Sequence, residues 1–251
     1  MNVNGRRVLV TGGTSGVGLA LAAELTAAGA RVAVCGRRVV EGGAPPAEGV
    51  TALAADLGRR GEAVRVVDRA AAALGGLDVV VANAGVQHLV DLTGGPSAAV
   101  LDRTAEEIEV NLRSVVELAA AAWPHLAAGG GAEPAAFVAV TSGLAYAPKR
   151  SAPVYCATKA AVHTLLRSLR YQAEESTPWI RVQEAVLPLV DTPMTAGRDG
   201  AVRKIPAATA AAALLEGIRR GRPTIPIGAA RTLLALLRLH PPTAYRLLRD
   251  T

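Results

Sequence analysis

Tyr155 and Lys159 are the side chains whose types and spacing best suit chemistry. They lie four residues apart in a helix-like segment, which places them on one face of a helix. A tyrosine hydroxyl ionises near pH ~10 when unperturbed, too high for rapid proton exchange at neutral pH. A nearby cation favours the phenolate, so the pair is suited to general acid and base chemistry. The spacing also arises by chance on many helices, but lysine is rare in this arginine-rich chain, which suggests that arginine would not serve here.

Ser142 precedes this pair by thirteen residues and directly follows an apolar run. A residue at the end of a parallel strand faces the crevice where ligands bind. Its hydroxyl is therefore placed to hold a substrate oxygen while a proton is exchanged. Taken separately, Ser142 could equally be a polar residue that ends a strand.

A glycine-rich turn, Thr11-Gly-Gly-Thr-Ser-Gly-Val-Gly18, follows the first apolar run and opens a helix-like stretch. The glycines at 12, 16 and 18 let the backbone turn sharply and approach a pyrophosphate, and the free N–H groups of the helix start can bind it. Tight turns between a strand and a helix commonly use glycine, so the position near the N-terminus after a strand is what favours a dinucleotide site.

The end of the second apolar run indicates which dinucleotide would bind. A site specific for NAD normally has an acidic residue there, which binds the ribose hydroxyls. Here the run ends in Gly36-Arg37-Arg38, without any acid. Arginine can pair with a 2′-phosphate through its planar fork of donors, so NADP(H) is favoured, with Arg37 as the main contact and Arg38 as a second. The alternative is a pair of solvated surface arginines.

Strand-like apolar runs that alternate with helical stretches must position these residues. The predicted strands span residues 7–11, 31–35, 50–54, 78–82, 136–141, 181–187 and 224–227. The predicted helices span residues 18–28, 62–74, 97–109, 112–128, 152–175 and 208–219. The first six strands are too continuously apolar for a sheet with one solvent-exposed face. The alternation predicts an α/β protein with a doubly wound, seven-stranded parallel sheet flanked by helices, with ligands along one edge.

Three segments depart from this alternation. Residues 39–49 are rich in glycine and proline, so a loop or short turn is predicted there. Residues 193–205 form a second loop, which would border the substrate. The tail, 229–251, has an amphipathic Leu/Arg stretch, two prolines and a short helix at 245–249; it could cover the pocket, pair subunits or lie on a membrane surface.

Composition excludes several classes of protein. With 251 residues, 51% hydrophobic, the chain is long enough to bury a core as one domain without disulfides or metal. The net charge of +6 is spread along the chain, so no nucleic-acid partner is expected. Cys35 and Cys156 lie in apolar segments and suggest neither a disulfide nor a metal site. No signal peptide and no membrane-spanning run is recognised, so a cytoplasmic location is expected.

Taken together, these motifs resemble the short-chain dehydrogenases/reductases. Residues 11–18 resemble the TGxxxGxG pattern of that family, Asp56-Leu57 its acidic contact to adenine, and Asn83-Ala84-Gly85 its NAG motif. The resemblance extends to about Met194 and implies a single-domain Rossmann fold over residues 1–251. The cofactor-contacting residues it implies, together with the two arginines, are Gly12, Thr14, Ser15, Gly16, Val17, Gly18, Arg37, Arg38, Asp56, Leu57, Asn83, Ala84, Gly85, Tyr155, Lys159, Val190 and Thr192.

The same resemblance implies the chemistry. Hydride would pass between the nicotinamide of NADP(H) and a carbonyl or secondary alcohol carbon of a small molecule. Tyr155 would exchange the proton, Ser142 would hold the oxygen, Lys159 would lower the tyrosine pKa and bind the ribose, and Asn111 would help to hold a water that returns the proton. An alternative role for Asn111 is that of a mid-helix residue that binds backbone. The chain departs from the family's Pro-Gly at Leu187-Pro188, but the spacing of Val190 and Thr192, which would contact the carboxamide, is kept.

Substrate identity is poorly encoded in the sequence. Gln87, His88 and residues 144–146 are candidate pocket walls. The resemblance implies a homodimer or homotetramer formed through the helices at 112–128 and 152–175. Two alternatives to a carbonyl reductase or alcohol dehydrogenase remain: a non-catalytic dinucleotide-binding redox sensor, and an epimerase or dehydratase that uses the same groups.

Overall fold

A computed structural model describes residues 1–39, 47–130, 133–197 and 203–250. The predicted loop at 39–49 therefore lies partly outside the described residues, as does the predicted loop at 193–205.

The centre of the molecule is a parallel sheet of seven strands, in the order β3-β2-β1-β4-β5-β6-β9. Neighbouring strands pair in register, so that Val10 lies opposite both Val34 and Val81. The alternation of strands and helices predicts this architecture, and the fold class is confirmed. Each predicted strand matches an observed one to within one residue at either end. The strands are β1 Arg7–Thr11, β2 Arg31–Gly36, β3 Val50–Ala54, β4 Val79–Ala82, β5 Ala135–Ser142, β6 Ile180–Leu187 and β9 Thr224–Pro226.

Helices cover both faces of the sheet, which is why the central strands are apolar on both sides. One face carries α2, α4 and α5, and the other carries α1 and α6. Phe137 of β5 and Leu9 of β1 are fully buried beneath the first group. The helices are α1 Gly16–Ala27, α2 Glu62–Leu74, α3 Ala98–Ile108, α4 Ser114–Ala127, α5 Pro153–Ser176, α6 Ala207–Arg220, α7 Ala229–Leu239 and α8 Pro241–Arg249.

The structure differs from the predicted helices in two places. The helices predicted at 97–109 and 112–128 are joined without a break, because a π-helical turn, Glu109–Arg113, links α3 to α4. In the tail, the predicted short helix at 245–249 begins earlier, at Pro241. Proline is accepted in the first turn of a helix, where its missing N–H leaves no hydrogen bond unmade, so the two prolines start this helix rather than precede it.

A second, two-stranded sheet was not predicted. Strand β7, Val190–Asp191, pairs in parallel with β8, Ile205–Pro206. It brings together the two ends of the loop that the sequence suggests as a substrate border. Within the described residues, no helix is long and apolar enough to cross a membrane, and no group of potential metal ligands is found.

Candidate functional site

A cleft of about 840 Å³ opens at the carboxyl edge of the sheet. It lies at the ends of β1 and β4, the neighbouring strands between which the strand order reverses. This is the usual ligand position in doubly wound sheets. Nearly all of the predicted catalytic and cofactor-contacting residues line it; of these, Gly18 and Asn111 are the two that do not. Those that do are Gly12, Thr14, Ser15, Gly16, Val17, Arg37, Arg38, Asp56, Leu57, Asn83, Ala84, Gly85, Ser142, Tyr155, Lys159, Val190 and Thr192.

The glycine turn between β1 and α1 is held tightly against the end of β4. Gly12 has a φ of +64°, and a Cβ there would lie 2.9 Å from the Cα of Ala84. A Cβ on Gly18 would lie 2.4 Å from Asn83 Nδ2, which explains why Gly18 packs behind the turn instead of lining the cleft. These close approaches require glycine, so the backbone itself forms the floor of this end of the cleft.

The start of α1 has the properties of an anion site. Ser15 is the N-cap residue and makes no side-chain cap hydrogen bond. The first N–H groups of a helix have no partner within the helix, and the helix dipole favours negative charge there. Gly16 lines the cleft beside them, and a Cβ at this position would come within 3.1 Å of Thr192 Cγ2. The turn and Thr192 therefore border a backbone-lined space that fits a pyrophosphate.

Thr11 fixes the position of this turn and was missed by sequence reasoning. Its Oγ1 accepts hydrogen bonds from the backbone N–H groups of Asn83 (3.0 Å) and Ala84 (3.1 Å). The Asn83 side chain donates in turn to the Thr11 carbonyl oxygen at 2.9 Å. A polar residue at the end of a buried strand was the available signal, because a fully buried hydroxyl needs partners.

Arg37 and Arg38 are exposed where β2 ends, at the edge of the cleft. The Arg37 guanidinium pairs with Glu106 of α3, with 3.1 Å between Nη1 and Oε1. The other oxygen of Glu106 lies 2.8 Å from His88 Nε2. Sequence reasoning did not identify Glu106, which is 69 residues away from Arg37 along the chain.

Tyr155 and Lys159 lie in the first two turns of α5 and are both buried beside the cleft. The Lys159 Nζ lies 5.7 Å from the centroid of the Tyr155 ring and donates a hydrogen bond to the Val140 carbonyl oxygen at 2.9 Å. Burial lowers the pKa of Lys159 to about 8, because the charged ammonium is removed from water. The lysine is thus fixed between α5 and β5 while its charge stays close to the tyrosine.

Ser142 is the last residue of β5 and faces the same cleft. Its Oγ accepts a hydrogen bond from the Leu144 N–H at 3.2 Å and caps the short 3₁₀ turn Gly143–Ala145. The end of β5 and the start of α5 therefore bring the hydroxyl groups of Ser142 and Tyr155 and the ammonium group of Lys159 to one wall of the cleft.

Asn111 lies in the π-helical turn and is fully buried. Its amide makes two hydrogen bonds with the Val86 backbone, each 2.8 Å long, and a third to Thr158 Oγ1 at 3.3 Å. The side chain thus binds backbone, which was the alternative role, and fixes the segment after Gly85 against α5. The wider π turn, common at functional sites, has no signal in the sequence.

The tail forms another wall of the cleft, beside the 3₁₀ turn that follows Ser142. Leu233 of α7 and Leu247, Leu248 and Asp250 at the end of the chain line it. Arg150 anchors this wall: its N–H donates to the Arg249 carbonyl oxygen at 2.9 Å, and its guanidinium pairs with Asp250 at 2.7 Å. Of the three arrangements considered for the tail, the structure places it over the pocket.

The other candidate pocket walls divide into two groups. Gln87 and Leu144 line the cleft. His88 is paired with Glu106, and Tyr146 binds His163 and Glu184 behind the wall.

Known proteins with similar sequences and structures identify the family of this chain. The family model described as short chain dehydrogenase matches residues 6–201. An uncharacterized oxidoreductase, DltE, of Bacillus subtilis (strain 168) is 37% identical over 196 residues, covering 76% of this chain and 74% of that protein. The 1-deoxy-11-beta-hydroxypentalenate dehydrogenase of Streptomyces exfoliatus is 37% identical over 205 residues, covering 78% of this chain and 72% of that protein. A solved short chain dehydrogenase from Burkholderia cenocepacia J2315, in complex with NADP, is similar with a TM-score of 0.74 and 29% identity, covering 87% of this chain and 91% of that one.

Proposed function

The chain belongs to the short chain dehydrogenase family and is an oxidoreductase, and we propose that it uses NADP(H) to interconvert a carbonyl compound and its alcohol. The observation that carries this proposal is that Tyr155 and Lys159 share a cleft with Ser142 at one end and with the glycine turn at the other. A binding protein without catalysis would not need all three polar groups on this wall.

The residues present fit a dinucleotide. The backbone N–H groups at the start of α1 would hold the pyrophosphate, and Asp56 and Leu57 would border the adenine. Val190 and Thr192 would contact the nicotinamide carboxamide, and Lys159 would reach the adjoining ribose. When bound, the nicotinamide supplies or accepts the hydride that the reaction requires.

The roles of the wall residues follow from their chemistry. Ser142 would donate a hydrogen bond to the substrate oxygen and hold it in place. Tyr155 would give its proton to that oxygen in reduction and take it back in oxidation. Lys159 would stabilise the phenolate that remains, because its positive charge is close and is held in a medium that screens it weakly. Asn111 would hold the backbone around the path by which the proton is returned.

Two observations support NADP(H) rather than NAD(H). The end of β2 carries Arg37 and Arg38 at the edge of the cleft and no acid, so a 2′-phosphate would meet positive charge. The Burkholderia protein at 29% identity has NADP bound.

The walls of the substrate end favour a carbonyl compound with an apolar body. Apolar side chains line the cleft that holds the reacting hydroxyls. They come from the 3₁₀ turn Gly143–Ala145 that Ser142 caps (the serine turn), from β6, from the short turn Pro193–Thr195 and from the tail. They are Leu144, Leu187, Met194, Leu233, Leu247 and Leu248. A series of ketones that differ by single methylene groups would measure the preference for an apolar substrate, because each buried methylene should lower KM by about fourfold.

The test is a rate measurement with the purified chain. NADPH absorbance is followed with aldehydes and ketones of increasing apolar size, and the reverse reaction is followed with the alcohols. We expect turnover with NADPH, weaker use of NADH, and a ~10²–10⁴-fold lower rate with Tyr155→Phe. Tight dinucleotide binding without turnover of any carbonyl or alcohol would replace this proposal with that of a non-catalytic dinucleotide-binding protein.

A further inference from the structure

A buried carboxylate, Glu184 of β6, lies behind the wall that carries Ser142. Its side chain is fully buried, yet it accepts three hydrogen bonds. Thr141 Oγ1 donates to Oε1 at 2.7 Å, and the Tyr146 hydroxyl donates to Oε2 at 2.9 Å. His163 Nδ1 lies 2.8 Å from the same Oε2. An ionised carboxylate only accepts, so Nδ1 carries the proton and donates it.

The three donors come from the elements that carry the reacting groups. Thr141 directly precedes Ser142, and Tyr146 directly follows the 3₁₀ turn that Ser142 caps. His163 lies one helical turn beyond Lys159 on α5, and two turns beyond Tyr155. One carboxylate therefore ties both ends of the serine turn to the helix that carries the tyrosine and the lysine.

The pKa shifts in this cluster determine which groups donate hydrogen bonds and which group accepts them. Burial raises the pKa of Glu184, but hydrogen bonds from His163, Thr141 and Tyr146 outweigh it and leave the pKa below its ordinary value. Burial and the charge of Glu184 raise the pKa of Tyr146, so that its hydroxyl stays a donor. The charges of Arg170 and Arg167, on α5, offset part of this rise in the pKa of Tyr146. At neutral pH the carboxylate thus accepts and the phenol donates.

We propose that Glu184 is a positioning residue that sets the place of Ser142 relative to Tyr155, acting through Thr141, Tyr146 and His163. Glu184, Tyr146 and His163 are not among the described residues that line the cleft, so they act through their neighbours rather than on a substrate. The effect on the reaction rests on the proposed function. The effect on the serine turn does not.

Tyr146→Phe is the mildest test, because it removes one donor and keeps the ring. Tyr171→Phe is the matched control: it makes the same change on an exposed residue of α5. We expect the Tyr146 variant to lose roughly 10- to 100-fold in kcat, because a small displacement of a positioned group has an effect of that order. KM for the cofactor should stay within about twofold, since the glycine turn is untouched. The control should match the unmodified protein in both.

Amide hydrogen exchange tests the same proposal without activity. The N–H groups of residues 144, 146 and 147 bond within the serine turn. In Tyr146→Phe they should exchange at least about tenfold faster, whereas the amides of β4 and in the middle of α1 should not change. A uniform rise across the protein would show general destabilisation and would overturn the positioning role.

Glu184→Gln completes the test, since an amide cannot accept all three hydrogen bonds. If the cluster acts through this carboxylate, the double variant with Tyr146→Phe should be no slower than Glu184→Gln alone. Unchanged kcat and unchanged exchange of the turn in Tyr146→Phe would refute the positioning role. An unmodified protein that turns over no carbonyl, but whose turn loosens in the variant, would contradict the proposed function and leave the role of Glu184 in place.

Discussion

Arg37 Nη1 lies 3.1 Å from Glu106 Oε1, so the arginine that we propose to bind a 2′-phosphate is paired with a carboxylate of its own chain. Both side chains are partly exposed, and such a pair contributes little to stability, about 0–1 kcal/mol. A phosphate that carries more charge and three acceptor oxygens can therefore take the place of this carboxylate at small cost.

Arg37→Ala should weaken NADPH binding much more than NADH binding. A charge-assisted hydrogen bond contributes roughly 1.5–3 kcal/mol, so the Kd for NADPH should rise about 10- to 100-fold, whereas that for NADH should change little. Titration of each cofactor by fluorescence measures this. Equal affinity of the unmodified protein for the two cofactors would contradict the assignment of Arg37.

Glu106→Gln should have the opposite effect on NADPH. The substitution keeps the shape and removes the charge that competes with the phosphate, so NADPH should bind more tightly, by up to about fivefold. Binding of NADH, which lacks the phosphate, serves as the control. Weaker NADPH binding in this variant would show that Glu106 supports the cofactor instead of competing with it.

Tyr155→Phe should abolish most of the turnover and leave the cofactor bound. The change removes one oxygen and keeps the ring, and general acid catalysis contributes ~10²–10⁴-fold in rate. Ser142→Ala should also lower kcat with the cofactor bound, whereas Lys159→Ala should impair both. Single-turnover rates and cofactor Kd values separate these cases. A Tyr155→Phe protein with most of its activity would remove this residue from the mechanism.

The lowered pKa of Lys159 predicts a pH dependence of stability in the protein without bound dinucleotide. Below about pH 8 the lysine is charged in both the folded and the unfolded chain. Between about pH 8 and 10.5 the folded protein has lost the proton and the unfolded chain has kept it. The unfolded state then binds more protons, so the contribution of Lys159 to the free energy of unfolding rises with pH.

Comparison with Lys159→Met isolates this contribution. The difference in unfolding free energy between the unmodified protein and the variant should shift in favour of the unmodified protein by up to about 3 kcal/mol across that window. Denaturant unfolding at a series of pH values measures it. Lys204→Met, on a lysine outside the described lining of the cleft, is the matched control. A difference that stays flat from pH 8 to 10.5 would contradict the burial of a charged lysine at this site.

Exposed apolar side chains on α3 and α4 lead us to expect self-association. The two helices expose the large apolar side chains of Leu101, Ile108 and Val116, each more than two-fifths accessible. The family resemblance implies a homodimer or homotetramer, and these exposed side chains are candidates for its interface. Light scattering at micromolar concentration measures the mass, and Ile108→Glu with Val116→Glu should lower it. A monomeric unmodified protein would contradict this prediction.

Local patterns in the sequence determined the elements and the spacing of the main polar groups. The seven strands could be placed to within one residue because a buried parallel strand is an unbroken apolar run with turn residues at its ends. The neighbourhood of Tyr155 and Lys159 follows from helix geometry alone, since residues four apart share a face. The strand order does not follow from this alternation, because a doubly wound sheet can reverse its direction after different strands.

The tertiary structure alone decided which distant groups meet. Glu106 pairs with Arg37 across 69 residues, and Glu184 binds Thr141 across 43 residues. Neither pairing leaves a mark on the local pattern, because a carboxylate on a helix or strand has the same sequence signature whether it faces water or a buried donor. The local sequence also did not predict the π-helical turn at Asn111 or the position of the tail. Both depend on how helices pack against the sheet edge, which is a property of the assembled core and not of any segment.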